Sequence, residues 1–317
     1  MTNLVSNAGV VATDVTGVGT ARMGLTATQY GNDKGIFGFG NTGSATAVTN
    51  LVSNAGVVAT DVTGVGTARY ALAACEYGGD KGIFGYGDTG SDVSMSNLVS
   101  NAGVVATDVT GVGTARNFLA AADYGGDKGI FAYGDTSGRV SMSNLVSNAG
   151  VVATDVTGVG TARSYTGACE YGANKATSIF TYGYNVSDAN VSVSNLVSNV
   201  GVVATDTTGV GTARRALKAC SYGGDKGIFA YGYVAGNVSM SNLVSNTGVV
   251  ATDVSGVGTA RHNAAATQYG EDKGIFGFGM TDVSVSLTNL VSNAGVVATD
   301  TTGVGTAREG PGACSFN

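Results

Sequence analysis

The sequence predicts an all-β chain, a closed ring of small four-stranded sheets forming a seven-bladed β-propeller, with six full blades and extra terminal strands as the alternative. Three observations predict it. The first is composition: 52 Gly among 317 residues, one Pro, no Trp and few helix formers beside plentiful Val, Thr, Ser, Tyr and Phe, which suits strands joined by Gly-rich turns. The second is repetition. The phrase NLVSNAGVVATDVTGVGTAR begins at Asn3 and returns almost unchanged at Asn50, Asn97, Asn144, Asn195, Asn242 and Asn289, in steps of 47 residues with one of 51. The third is that each period holds four strand-like runs and no 3.6-residue stripe, the pattern of one propeller blade.

The second copy shows the runs in order: Tyr70–Tyr77, Lys81–Tyr86, Val93–Val99 and Val104–Thr110. Gly-Gly-Asp, Asp-Thr-Gly-Ser, Asn-Ala-Gly and Gly-Val-Gly separate them as turn chemistry. In Val93–Val99 the apolar residues fall mostly on alternate positions, as in a strand with one buried face. The chain reads as one domain, residues 1–317, with repeats at 23–69, 70–116, 117–163, 164–214, 215–261 and 262–308. Outer strands in 1–22 would join an inner strand in 309–317 to complete the last blade and remove exposed edges.

Taken in sequence, Arg, a small apolar strand, YGGDKGIFGYG, a Ser-rich strand and GVVATDVTG resemble a kelch repeat of the galactose-oxidase type. Gly79-Asp80-Lys81-Gly82-Ile83-Phe84-Gly85-Tyr86-Gly87 carries the match, which extends over nearly the whole chain; the outer-strand Trp typical of kelch repeats is absent. The low-complexity style is also similar to repeat proteins of tailed phages, marine ones especially. That resemblance implies a virion component and assembly into a larger particle.

Every copy carries one Asp and one Arg eight residues apart: Asp14/Arg22, Asp61/Arg69, Asp108/Arg116, Asp155/Arg163, Asp206/Arg214, Asp253/Arg261 and Asp300/Arg308. Six copies add a Lys, at 34, 81, 128, 175, 226 and 273, of which five follow an Asp and one follows Asn174. Repetition in every unit marks these charges as structural, and Asp–Arg pairs between neighbouring blades would lock them together. The framework charges nearly cancel. The variable positions hold Arg139, Arg215 and Lys218 against ten acidic residues, so they carry most of the net charge of −6.

The position after each framework Arg holds Met23, Tyr70, Asn117, Ser164, Arg215, His262 and Glu309, all different; nearby variable positions hold Phe118, Tyr165 and Lys218. In a kelch-like blade these residues open the inner strand at one mouth of the central channel. Unlike side chains there are a candidate binding face. The loops after the GIFGYG-like strand, at 41–45, 88–92, 135–139, 184–190, 233–237 and 280–282, form a second variable patch.

Other chemistry is thin. His262 is the single histidine and stands without a recurring partner, so neither a catalytic residue nor an enzyme is expected. Cys75, Cys169, Cys220 and Cys314 share one slot with Thr28, Ala122 and Thr267, which marks a small-residue position rather than a metal site or a disulfide. No cofactor is expected. No basic patch suggests nucleic acid, and no signal peptide or membrane-spanning run is present, so membrane insertion is not expected. The expected function is structural or adhesive, with a protein or cell-surface receptor as partner. The alternative is a glycan-binding lectin with several equivalent pockets built on Tyr77, Tyr124, Tyr171, Tyr222 and Tyr269.

Overall fold

The computed structural model describes residues 1–173 and 176–316; Asn174, Lys175 and Asn317, on which the expected fourth Lys site and the last residue of the domain fall, lie outside the described residues. The described chain is all-β, without helices, in a propeller-like arrangement of six repeated sheets. The first is β1 (Thr26–Tyr30), β2 (Lys34–Gly38) and β3 (Thr49–Val52). The second is β4 (Ala73–Tyr77), β5 (Lys81–Gly85) and β6 (Ser96–Val99). The third is β7 (Ala120–Tyr124), β8 (Lys128–Ala132) and β9 (Ser143–Val146). The fourth is longer: β10 (Arg163–Ser164), β11 (Gly167–Tyr171), β12 (Thr177–Asn185) and β13 (Asn190–Val197). The fifth is β14 (Lys218–Tyr222), β15 (Lys226–Ala230) and β16 (Ser241–Val244), and the sixth β17 (Ala265–Tyr269), β18 (Lys273–Gly277) and β19 (Thr288–Val291). All pairings are antiparallel, with the strand that carries Gly-Ile-Phe, or Ser-Ile-Phe in the fourth unit, in the middle of each sheet.

The expected four-strand blade is corrected in two places. The fourth run is no regular strand but is held by isolated bridges, Ser96↔Val109 and Val99↔Val105 in the second unit. The cause is a side chain: Asn97 Nδ2 donates to the Ala106 carbonyl at 3.0 Å, so an amide side chain occupies the place of a ladder bond. The first run also begins late, at Ala73 rather than Tyr70, because Ala71 has a left-handed φ of 52° that breaks the extended backbone. Residues 1–22 show only the bridges Thr2↔Val15 and Val5↔Val11, and residues 309–316 contain no strand.

The core lies between neighbouring sheets. Each middle strand buries its Phe against the unit before it and its Ile, on the opposite face, against the unit after it, with Ile83, Phe84, Ile130, Phe131, Ile179 and Phe180 all inaccessible to solvent. Aromatic pairs repeat at these interfaces with edge-on geometry, Phe39–Phe84 and Tyr86–Phe131 at 5.3 Å, Tyr133–Phe180 and Tyr231–Phe276 at 5.5 Å, and Tyr182–Phe229 at 6.1 Å, a favoured arrangement of ring quadrupoles. The Gly preceding Ile is needed for close approach: a Cβ on Gly129 would stand 2.4 Å from Cys75 Sγ, and one on Gly82 would stand 2.6 Å from Thr28 Cγ2. In the fourth unit the equivalent residue is Ser178, fully buried in β12, and the slot of the preceding unit holds Ala122. The one slot reduced to Ala thus faces the one unit that replaces the Gly.

Candidate functional site: a variable mouth over a buried arginine layer

The framework arginines form the floor of the site. Arg69, Arg116, Arg163, Arg214 and Arg261 are completely buried. Arg69 donates from Nε to the Tyr86 carbonyl at 2.8 Å, from Nη1 to the Thr67 carbonyl at 3.1 Å and from Nη2 to Asn97 Oδ1 at 2.6 Å. Its guanidinium lies 4.1 Å from the Phe39 ring centre of the previous unit. Burial lowers its pKa to about 10, which leaves it charged at neutral pH. The expected pairing to a carboxylate is present but long, with Arg69 Nη1 at 3.8 Å from Asp108 Oδ1. The partner is the Asp of the following repeat, not the Asp eight residues before the Arg.

The Asp is held chiefly by other groups. Thr67 donates to Asp108 Oδ2 from N at 2.9 Å and Oγ1 at 2.7 Å, and Asn97 Nδ2 donates to Oδ1 at 2.9 Å. Burial acts to raise the Asp108 pKa, but these hydrogen bonds outweigh it and hold the carboxyl below its usual range. The link recurs from unit to unit and joins the two ends of the chain, where Thr306 donates to Asp14 Oδ2 at 2.8 Å from N and 2.6 Å from Oγ1. The Asn and Thr partners were not singled out from the sequence. Their signal was a constant spacing, Asn97 lying 28 residues after Arg69, inside a phrase where every residue repeats.

Immediately after the Arg, the chain turns outward. Gly24, Ala71, Phe118, Tyr165, Ala216, Asn263 and Gly310 all have left-handed φ, between 46° and 61°. Their backbones stitch units together: Ala71 N–H donates to the Gly24 carbonyl, Phe118 to Ala71, Tyr165 to Phe118, Asn263 to Ala216 and Gly310 to Asn263, at 2.9–3.3 Å. Inside this rim lies an axial cavity of about 350 Å³ that is lined by residues of seven inner runs, among them Thr28, Cys75, Ala122, Cys169, Cys220, Thr267 and Cys314. Burial drives the thiol pKa values up, to about 12 for Cys220 and Cys314, so these are packing residues and not nucleophiles. Lys218, at the top of β14, reaches solvent, yet the surrounding protein wall still holds its pKa below the usual lysine range.

The variable side chains do not spread evenly around the mouth. Phe118 and Tyr165 stack with centroids 4.4 Å apart. Next to them, Arg215 lies 4.4 Å from the Tyr184 ring centre and 5.1 Å from that of Tyr233, while Arg139 approaches Tyr184 from elsewhere at 4.8 Å. Arg215 Nη1 donates to Asn190 Oδ1 at 3.2 Å, and Arg139 is tethered by Asp135 at 3.3 Å and Asp188 at 3.0 Å. Tyr233 meets His262 edge-on at 5.4 Å, and His262 Nδ1 sits 2.6 Å from Asn237 Oδ1. Burial lowers the His262 pKa, opposed by Glu309 and assisted by Arg215.

The two variable patches seen in the sequence are therefore one surface across the third to sixth units. It includes Arg139, Tyr184 and Tyr233, which sequence reasoning had placed only in loops. Residues 184–190 are no free loop: β12 runs through Asn185 and β13 starts at Asn190, so the longer unit raises a hairpin beside the mouth. Met23 and Tyr70 sit outside the cluster, while Asn117, beside Phe118, and Glu309, which acts on His262, stand at its two edges. Ser164 is fully buried and leaves the candidate face. Asn117 Nδ2 donates to Asp88 Oδ2 at 3.1 Å, and Asp92 has its pKa raised by burial and by Asp88 and Asp135, so carboxylates gather at the Asn117 edge of the cluster. The five tyrosines offered as lectin pockets, Tyr77, Tyr124, Tyr171, Tyr222 and Tyr269, are 3–6% exposed and belong to the core.

No family model matches the chain, and no curated protein matches it. Among solved structures, a fungal alcohol oxidase of the AA5 family in complex with copper is similar, at 13% identity and a TM-score of 0.63. The match covers 87% of this chain and 62% of that one, so the chain spans less than two thirds of the oxidase. This agrees with the kelch and galactose-oxidase resemblance at the level of fold; the phage resemblance finds no counterpart. It also overturns the expectation of no enzyme, which rested on the single histidine without a recurring partner, because a similar fold is that of an oxidase. The donor set does not fit copper: among the described residues no three His, Cys, Asp or Glu side chains are grouped to hold a metal ion, and the one His is bonded to Asn237. A likeness to a repeated all-β ring of the galactose-oxidase kind is what the comparisons establish for this chain.

Proposed function

We propose that the chain is a seven-bladed β-propeller whose variable mouth is a binding face for a protein or a cell-surface glycan. The Thr306–Asp14 link between the chain ends and the axial cavity lined from seven inner runs support the blade count. One observation carries the function. The variable positions differ in every unit, but most of their aromatic and Arg side chains converge in space as stacked groups, the residue types that anchor interfaces. Neutral drift would scatter such side chains around the ring. The cluster Phe118, Tyr165, Tyr184, Arg215 and Tyr233 instead gathers them on one side.

The face is asymmetric, so it predicts one ligand per chain. A glycan array and a displayed peptide library, each screened with the wild type and with Tyr184→Ala and Arg215→Ala, test it. Ligands bound one to a chain and lost in both variants are expected. Ligands bound several to a chain, or indifferent to both substitutions, would instead point to equivalent pockets between the units.

A further inference from the structure

A second cavity, of about 530 Å³, opens where the chain ends meet and is lined by Val5, Arg22, Phe37, Thr267, Phe278 and Cys314 among others. Three of these groups lack contacts that their equivalents make. Six framework arginines, Arg69 to Arg308, each lie 3.7–4.2 Å from an aromatic ring centre of the previous unit; Arg22 meets no such ring among the described residues. Phe84, Phe131, Phe180, Phe229 and Phe276 are fully buried against an aromatic neighbour, whereas Phe37 is partly exposed. Phe278 likewise has no ring-on-ring partner among the described residues.

The backbone shows the same pattern. Thr2 and Leu4 accept bonds from Val15 and Ala12 on one edge, while residues 311–316 make no backbone–backbone bond among the described residues. In the other six units a middle strand such as β5 lies at the corresponding place and pairs on both sides, with β4 and β6. Two strand-like edges and an apolar cavity between them are the requirements for strand addition.

We propose that this cavity is a docking site for one extended peptide segment of the pattern Lys-Gly-Ile-Phe-Gly-Tyr-Gly. Its Phe would stack on Phe278, its Tyr would cover Arg22 and meet Phe37, and its first Gly would pass Thr267, as Gly82 passes Thr28. The inference shares the ring arrangement with the proposed function but does not use the variable face.

The test uses the whole chain and a fluorescent peptide, Gly-Asp-Lys-Gly-Ile-Phe-Gly-Tyr-Gly, the sequence of residues 79–87, followed by anisotropy and by thermal unfolding. Saturable binding at one peptide per chain with a raised melting temperature is expected. Replacing the Gly before Ile by Val should weaken it by on the order of tenfold or more, since a Cβ at Gly82 would come within 2.6 Å of Thr28. Arg215→Ala should leave peptide affinity unchanged, which separates this site from the mouth. Absence of saturable binding at millimolar peptide, equal affinity of the Val peptide, or sedimentation as a dimer that shields Phe37 would each overturn the proposal.

Discussion

Arg214 and Arg215 are neighbours in the chain and opposites in circumstance. Arg214 is fully buried, donates to Asn242 Oδ1 at 2.6 Å and the Tyr231 carbonyl at 2.9 Å, and lies 4.2 Å from the Tyr182 ring centre. Arg215 is half-buried at the mouth and stacks on Tyr184 and Tyr233 with a single hydrogen bond to Asn190. Both use the flat guanidinium against an aromatic ring. The difference is that Arg214 satisfies groups that have no access to water, while the groups around Arg215 do have access. Its unit can lose Arg215 and keep its packing, which is why that position is free to differ among copies and available for recognition.

Removing each Arg breaks the comparison open. Arg214→Ala should destabilise the chain by about 3–5 kcal/mol, because it strands Asn242 and a buried carbonyl. Arg215→Ala should change stability by less than about 0.5 kcal/mol. Denaturant unfolding of both variants measures the contrast, and a similar loss in the two would mean that the mouth is part of the structural core.

A smaller effect tests the interface beneath them. Gly129→Ser forces a side chain toward Cys75 and should cost about 1–3 kcal/mol. Cys75→Ala in the same chain recreates the combination of Ala122 with Ser178 and should recover much of that loss. The double-mutant cycle reads the coupling directly; additive losses would show that the slot and the Gly do not constrain each other.

Much of this layer was legible in the sequence, and the reasons are local. Turn glycines, the position of each middle strand and the small-residue slot at Cys75 follow from period and from side-chain size. The hydrogen-bonding role of Asn97 was not legible, because an Asn within a phrase repeated whole looks no different from a turn Asn such as Asn101. Nor was the gathering of Arg139, Tyr184 and Arg215. It depends on how far the lengthened β12–β13 hairpin stands above the mouth, and residue spacing does not encode that height. The single-blade pattern predicted four strands, and the Asn97 amide replaced part of the fourth ladder.

The Thr–Asp links offer the finest test, since they join units through carboxylates that remain partly in water. Asp14, Asp61, Asp108, Asp155, Asp206, Asp253 and Asp300 all have pKa values below the usual 3.8. A carboxyl whose pKa is lower folded than unfolded contributes stability that is fully present above the unfolded value and is lost as pH falls through the folded one. The melting temperature should therefore be insensitive to these groups from neutral pH to about 4 and drop below it. Thr67→Val removes one hydroxyl donor to Asp108 and keeps the N–H, so the Asp108 pKa should move part of the way back toward its usual value and the acid limb should become slightly shallower. Carboxylate titration by NMR, with melting curves between pH 2 and 7, follows both. An acid limb unchanged by the substitution, with Asp108 titrating as before, would place the hold on that carboxyl in Asn97 and the Thr67 N–H instead of the hydroxyl.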